Sequence, residues 1–119
     1  MEISKINENG VNIAIVGSNE LLITDVQSAL DLIATVNYEA DSNHIILNKS
    51  SIVEDFFDLK TRLAGEILQK FINYQVKIAI IGDFSIYNSK SLADFIYECN
   101  KGKDIFFLSD EKQAIEKFK

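Results

Sequence analysis

The sequence predicts a single α/β domain over residues 1–119, with an N-terminal β-hairpin followed by alternating helices and strands. Three observations carry this prediction. Asn9-Gly10 lies between two strand-like segments and is a strong hairpin signal, because both residues tolerate positive φ. Apolar runs at 44–48, 76–81 and 104–108 are typical of buried parallel strands. Between and after these runs, apolar residues recur at helical spacing.

The first half of the chain predicts two strands, a helix and a third strand. Residues 3–8 alternate weakly, whereas residues 11–16 are more apolar and therefore more central in the sheet. Thr24 and Gln27 have the spacing of a capping box, and the helix after them turns an apolar stripe over residues 26–34 toward the sheet. The run that begins at His44 is the third strand.

The second half predicts three helices that alternate with two strands. Asp58 and Thr61 are alternative N-caps for the second helix, and Gly65 inside it indicates close packing there. The third helix begins near Ser89 and places Gly102 where a left-handed cap is expected.

Ser109 is expected to cap a short last helix. The complete order is β-β-α-β-α-β-α-β-α. It predicts a mixed sheet with an antiparallel hairpin, a parallel remainder, and helices packed on the sheet.

Composition narrows the function classes. The 119 residues carry 18 acidic and 12 basic side chains, for a net charge of −6, which disfavours binding to a phosphate backbone. No apolar run approaches the length that spans a bilayer, and the N-terminus lacks a signal-peptide pattern. The single cysteine, Cys99, fits a reducing compartment, so we expect a cytoplasmic protein. His44 is the only histidine, and no ligand spacing predicts a metal or another cofactor.

Polar residues follow two predicted parallel strands and form the first candidate site. In open α/β sheets, ligands bind beyond the carboxyl ends of the strands. Asn48, Lys49, Ser50, Asp83 and Ser85 fall there and are candidate ligand-binding residues, with Lys49 facing an anionic group and Asp83 acting as a base or acceptor. The alternative is that these loops are polar because they are solvated turns.

The segment between the third strand and the second helix forms the second candidate site. It holds two adjacent aromatic residues among acidic and basic ones. Phe56 and Phe57 with Asp58, Thr61 and Arg62 are candidate partner-binding residues, because aromatic anchors dominate protein interfaces. In this interpretation Phe56 anchors the contact, Asp58 and Arg62 set charge register, and Thr61 caps the helix. The alternative is that the two Phe side chains cover the sheet.

Several stretches of the chain resemble a known family. They are Leu47–Ser50, Asp55–Leu59, Leu63–Phe71, Gly82–Ser85 and Lys90–Leu92. Together they resemble a family of short bacterial proteins classified as domain of unknown function 4180, and the likeness covers essentially the whole chain. The resemblance implies a bacterial origin, and no catalytic residues can be carried over from the family.

The order of elements separately resembles the STAS fold of anti-sigma-factor antagonists. In STAS proteins the loop after the third strand carries an Asp-Ser-Ser-Gly-type motif whose serine is the regulatory phosphosite. Here Asp58 matches the aspartate, but Leu59 stands at the serine position and Thr61 is the nearest hydroxyl. The resemblance implies an interaction module, and the departure puts control by a kinase in doubt.

Three hypotheses about function follow. The first is a non-enzymatic, STAS-like regulatory module that binds a protein partner through the 48–65 segment. The second is a small-ligand or enzymatic site at the carboxyl edge of the sheet. The third is a homodimer formed through an edge strand or the last helix. No residue pair has a spacing diagnostic of catalysis, so the sequence favours a non-enzyme.

Overall fold

A five-stranded sheet forms the middle layer of the molecule, and its strands lie side by side in chain order. The computed structural model describes residues 1–119. The strands are β1 (Glu2–Glu8), β2 (Val11–Gly17), β3 (His44–Asn48), β4 (Lys77–Ile81) and β5 (Ile105–Leu108). β1 runs antiparallel to β2, and the remaining neighbours are parallel. The predicted mixed sheet is therefore confirmed.

Four helices cover the two faces of this sheet unequally. They are α1 (Val26–Ala40), α2 (Leu63–Asn73), α3 (Lys90–Lys101) and α4 (Glu111–Phe118). Right-handed crossovers between strands in chain order place α1, α2 and α3 on one face, where the larger core forms. Only α4 covers the other face, where its Ala114 and Phe118 pack on Ile13, Ile46 and Phe106.

The hairpin and the helix ends show how far local signals decide local structure. Asn9 and Gly10 adopt φ of 53° and 84°, as the predicted tight turn requires. The first capping box is one residue later than predicted: Asp25 and Ser28 bond reciprocally, and Thr24 lies outside the box. Ser89 caps α3 as predicted.

Three further expectations about helix ends and packing are wrong. Asp110, not Ser109, caps α4 by accepting a bond from the Gln113 backbone N–H. Gly102 ends α3 in an extended conformation, so it is not a left-handed cap. Gly65 is exposed, and a Cβ built there would meet no atom within 4 Å, so close packing does not explain this glycine.

The two edges of the sheet differ. The side chain of Asn100 in α3 bonds twice to the backbone of Phe107: Nδ2 donates to the carbonyl at 3.0 Å, and Oδ1 accepts from the N–H at 2.8 Å. Asn100 therefore occupies backbone groups that the outer side of β5 would otherwise offer to another strand. β1 is the opposite edge and pairs only with β2.

Candidate functional site

The carboxyl ends of the parallel strands carry the loops with the most polar side chains. Two of these loops are joined by backbone hydrogen bonds. Leu22 and Ile23 donate their N–H groups to the Ser51 carbonyl at 2.7 and 3.1 Å, and Val53 donates to the Ile23 carbonyl at 2.9 Å. The segment between β3 and α2 is thus held as a small extension of the sheet, followed by 3₁₀ turns.

The expected exposure of Phe56 and Phe57 is wrong. Their side chains are only 1% and 4% exposed. The turn Glu54–Phe57 directs both rings inward, where they lie edge to face at 5.0 Å between ring centroids. Phe57 also stacks on Tyr87, 5.2 Å away and nearly parallel. Neither Phe can be the surface anchor of an interface, and the alternative that they cover the sheet describes them correctly.

Tyr87 links the loop after β4 to the segment after β3. Its hydroxyl donates to the Glu54 carboxylate at 3.2 Å and accepts a bond from Lys49 Nζ at 3.4 Å. Burial, together with the negative charge of Glu54, raises the pKa of Tyr87 to about 12. Tyr87 is therefore protonated at neutral pH and serves as a hydrogen-bond donor in this link.

Lys49 reaches Tyr87 by passing directly over Gly82. A Cβ at Gly82 would lie 2.7 Å from both Cγ and Cδ of Lys49, so a residue with a side chain cannot fit without moving the lysine. The Lys49 ammonium also lies 5.0 Å from the centre of the Tyr87 ring, within the range of a cation–π interaction. Lys49 is thus engaged with the protein itself.

The candidate ligand-binding residues are brought only partly together. Asp83 accepts bonds from the Ser85 hydroxyl and N–H at 2.6 and 3.0 Å. These bonds lower the pKa of the Asp83 carboxyl, and the positive charge of Lys49 adds to the effect. Asn48 caps the turn after β3 by accepting from the Ser50 N–H at 2.9 Å, and the Ser50 side chain is exposed.

A broad depression lies beside Asp83 at this edge. It measures about 620 Å³ and opens widely to solvent. Its lining residues are Gly82, Asp83, Phe84, Ser85, Phe107, Leu108, Ser109 and Gln113. Asn48, Lys49 and Ser50 lie outside it, so the predicted five-residue ligand cluster divides between the depression and the Lys49–Tyr87 link.

The remaining partner-binding candidates are exposed and act locally as caps. Asp58 accepts from the Lys60 N–H at 3.1 Å. The Thr61 hydroxyl lies 2.8 Å from the carbonyls of Asp55 and Asp58, to which it can donate, and accepts from the Leu63 N–H at 3.2 Å. The prediction that Asp58 or Thr61 is the N-cap of α2 is therefore wrong: α2 begins at Leu63, and its N-cap position is Arg62, which makes no side-chain cap bond.

Arg62 adopts φ of 64°, a left-handed conformation that is uncommon for a residue with a side chain. It lies between the last 3₁₀ turn and α2 and is exposed. The side chains of Asp58, Thr61 and Arg62 are all exposed at the surface.

Ile86 and Glu54 were not identified from the sequence as residues at this edge of the sheet. Ile86 is 62% exposed and lies next to Tyr87 in the loop after β4. A lone large apolar residue in a polar loop was the available signal. Glu54 has the spacing of a capping box with Ser51, but its carboxylate accepts a bond from Tyr87, 33 residues further along the chain.

No three histidine, cysteine or acidic side chains gather as they would around a metal ion. None of the helices combines the length and the apolar character that a membrane crossing requires.

These features define the class of the protein. It is an α/β domain with an antiparallel hairpin, a parallel remainder of the sheet, and a polar carboxyl edge. The chain belongs to the family described as domain of unknown function DUF4180, whose model matches residues 8–118. The family resemblance predicted from the sequence is confirmed. No curated protein matches the chain.

One solved structure is similar over nearly the whole chain. It is a candidate anti-sigma factor antagonist from Thermotoga maritima, 12% identical, and the match covers 98% of this chain and 93% of that chain with a TM-score of 0.47. A similarity at this level does not extend to function.

Proposed function

We propose that this domain is a non-enzymatic regulatory module that binds a protein partner at its carboxyl edge. The binding surface, which we term the Ile86 surface, consists of the exposed side chains of residues 54–62 and 83–88. The observation that carries the proposal is the exposure of Ile86 in a loop whose buried neighbours are held in place by contacts with the other segment. A large apolar side chain that is 62% exposed gains most by insertion into a partner's pocket.

The base of the Ile86 surface is preorganised. Tyr87, next to Ile86, is stacked on Phe57 and hydrogen-bonded to Glu54, so the two segments cannot move apart without breaking both contacts. A surface that is already ordered loses little conformational entropy on binding. The fixed base therefore supports a role in recognition.

Charges of both signs frame the apolar residue. Asp58 and Arg62 are exposed on one segment, and Asp83 is exposed on the other. Such charges select a partner and fix its orientation more than they add affinity. The role in charge register predicted for Asp58 and Arg62 stays a proposal, with Ile86 replacing Phe56 as the anchor.

The polar side chains at this edge support binding over catalysis. Tyr87 bonds to both Lys49 and Glu54, and Asp83 bonds to Ser85. Because these bonds hold the loops in place, the groups best suited to acid–base work already have a structural role.

The test compares two surface variants with two controls on α1. Ile86→Asp and Asp58→Lys alter the proposed surface, whereas Tyr38→Asp and Asp31→Lys make matched changes at exposed positions elsewhere. Each tagged protein is cross-linked in its source cells and purified, and each captured protein is then measured for binding as a purified component.

We expect both surface variants to weaken binding by roughly 30-fold, as for an interface hot spot, while both controls bind as wild type does. Melting temperatures are measured for all four variants to check that each is folded. Equal binding by surface and control variants, or loss confined to the controls, would place the interface elsewhere.

The open depression supports a second candidate, the binding of a small ligand. Apolar walls from Phe84, Phe107 and Leu108 with polar groups such as Asp83 and Gln113 are a typical lining of a ligand site. A library screened by thermal shift tests this candidate, because a ligand at 100 times its Kd adds about 2.7 kcal/mol of stability. The candidate requires a hit whose stabilisation is lost in Gln113→Ala, and a screen with no such hit removes it.

A further inference from the structure

A second depression lies at the opposite, amino edge of the sheet. It measures about 320 Å³ and is lined by His44, Lys77, Gly102, Lys103, Phe106, Lys117 and Phe118. The lining comes from the starts of β3 and β4, the turn before β5, and the end of α4. The proposed partner surface is at the other end of the same strands, so the two sites are independent.

The charge of this amino-edge depression is opposite in sign to that of the chain. Three lysines line it, in a protein whose net charge is −6. The ammonium of Lys77 is paired with Asp104 at 2.8 Å and bonded to the Lys103 carbonyl at 2.9 Å, which fixes its position. Lys103 and Lys117 have no carboxylate within 4.0 Å, so their charges are available to a ligand.

Aromatic rings form the apolar part of the wall. The Lys117 ammonium lies 5.5 Å from the centre of the Phe106 ring. The rings of His44 and Phe118 meet edge to face at 5.1 Å between centroids. Phe106 and Phe118 are 4% and 6% exposed, so a ligand in this depression would meet only the edges of these rings, together with free positive charge.

His44 adds an unsatisfied polar atom at the same place. Its Nδ1 is buried and has no hydrogen-bond partner. Burial and the nearby charge of Lys77 both lower the pKa of His44, so the ring is neutral at neutral pH. Buried polar atoms ordinarily have a hydrogen-bond partner. The unpartnered Nδ1 is therefore a second unusual feature of this depression, separate from its lysines.

We propose that the amino-edge depression binds a small organic anion, of the class of an aromatic phosphate monoester. The anionic group lies between the ammoniums of Lys103 and Lys117, and the ring contacts the exposed edges of Phe106 and Phe118. A volume of about 320 Å³ suits a ligand of this size. Binding requires both the anionic group and the ring of the ligand. This requirement distinguishes the site from a basic patch that attracts any anion.

The test uses phenyl phosphate as the probe and the imidazole of His44 as the reporter. Because His44 is the only histidine, its ring gives a single set of NMR signals in the full-length chain. Phenyl phosphate should shift these signals saturably and raise the pKa of His44, since a bound anion offsets the charge of Lys77. Inorganic phosphate should bind more weakly, and uncharged benzyl alcohol should produce no saturable shift.

Two double variants locate the effect. Lys103→Ala with Lys117→Ala should weaken the binding of phenyl phosphate by roughly tenfold or more, because two charge-assisted contacts are lost. Lys60→Ala with Lys112→Ala removes the same charge from exposed positions outside the depression and should leave binding unchanged. Lys103→Ala alone is the fallback if loss of Lys117 disturbs α4.

Three outcomes would overturn the proposal. They are the absence of a saturable shift up to tens of millimolar phenyl phosphate, equal weakening by the two double variants, and equal affinity for phenyl phosphate and inorganic phosphate. The last outcome would mean that the lysines attract any anion and the aromatic wall plays no part.

Discussion

Replacing Asn100 with alanine removes two hydrogen bonds from partly buried backbone groups. Asn100 lies in the last turn of α3, and its amide bonds to both the N–H and the carbonyl of Phe107. Each bond contributes about 0.5–1.5 kcal/mol net, so the pair contributes roughly 1–3 kcal/mol. Alanine returns about 0.5 kcal/mol through its better helix propensity. We expect a net loss of about 0.5–2.5 kcal/mol in the free energy of unfolding.

The measurement is urea unfolding followed by circular dichroism, with thermal melts in parallel. A loss of this size lowers the melting temperature of a chain this long by roughly 2–12 °C. Asn37→Ala is the matched control, because Asn37 lies near the end of α1 and is exposed. It should leave stability unchanged or raise it by about 0.5 kcal/mol.

A second variant separates the hydrogen bonds from the volume of the side chain. Asn100→Asp keeps the shape and can still accept from the Phe107 N–H, but its carboxylate then faces the Phe107 carbonyl. It should be less stable than wild type at neutral pH. If Asn100→Ala and Asn37→Ala have the same stability, the two bonds contribute nothing and the reasoning about the sheet edge is refuted.

Three further predictions concern two glycines and His44. Gly82→Ala should lower the free energy of unfolding by about 1–3 kcal/mol, because its Cβ displaces Lys49 and because Gly82 has φ of 158°, which residues with a side chain rarely adopt. Lys49→Ala in the same chain should restore only the part of the loss that comes from the contact. Gly65→Ala, where a Cβ meets nothing, should instead stabilise by about 0.5–1 kcal/mol; a loss there as large as at Gly82 would contradict the argument from contact. The pKa of His44 is lowered on folding from its ordinary value of 6.5, so below that pH the unfolded chain takes up the proton more readily. Its contribution to stability is present above pH 6.5 and is lost as the pH falls, and urea unfolding at about pH 7.5 and 5.5 should show less loss in His44→Gln.

The fold was accessible to sequence reasoning because its signals are local. Asn9-Gly10 specifies the hairpin, and the short apolar runs can only be strands buried between layers. The residues that cap the helices were harder to predict from the sequence. Thr24 and Asp25 both have suitable oxygens, and the choice depends on which one is positioned to bond with Ser28. Such geometry is decided by the approach of the chain to the helix, which spacing does not encode.

The site was less accessible because its contacts join distant segments. Phe57 is buried by Phe84 and Tyr87, which come about 30 residues later, and no periodicity in a run of short turns predicts that. The carboxyl-edge positions of Asn48 and Asp83 were predicted from the strand pattern. Which of their neighbours would meet depended on the path of Lys49 over Gly82, a tertiary contact.

The bonds from Asn100 to Phe107 also limit how copies of this chain can associate. A sheet with two open edges is divalent and can add strands indefinitely, whereas one with a single open edge is monovalent. Here β1 is the open edge, and on β5 the side chain of Asn100 occupies the N–H and carbonyl of Phe107. Two copies that joined through β1 would leave only their β5 edges, where a further strand would have to displace Asn100. The side chain of one asparagine therefore opposes growth by strand pairing beyond a dimer.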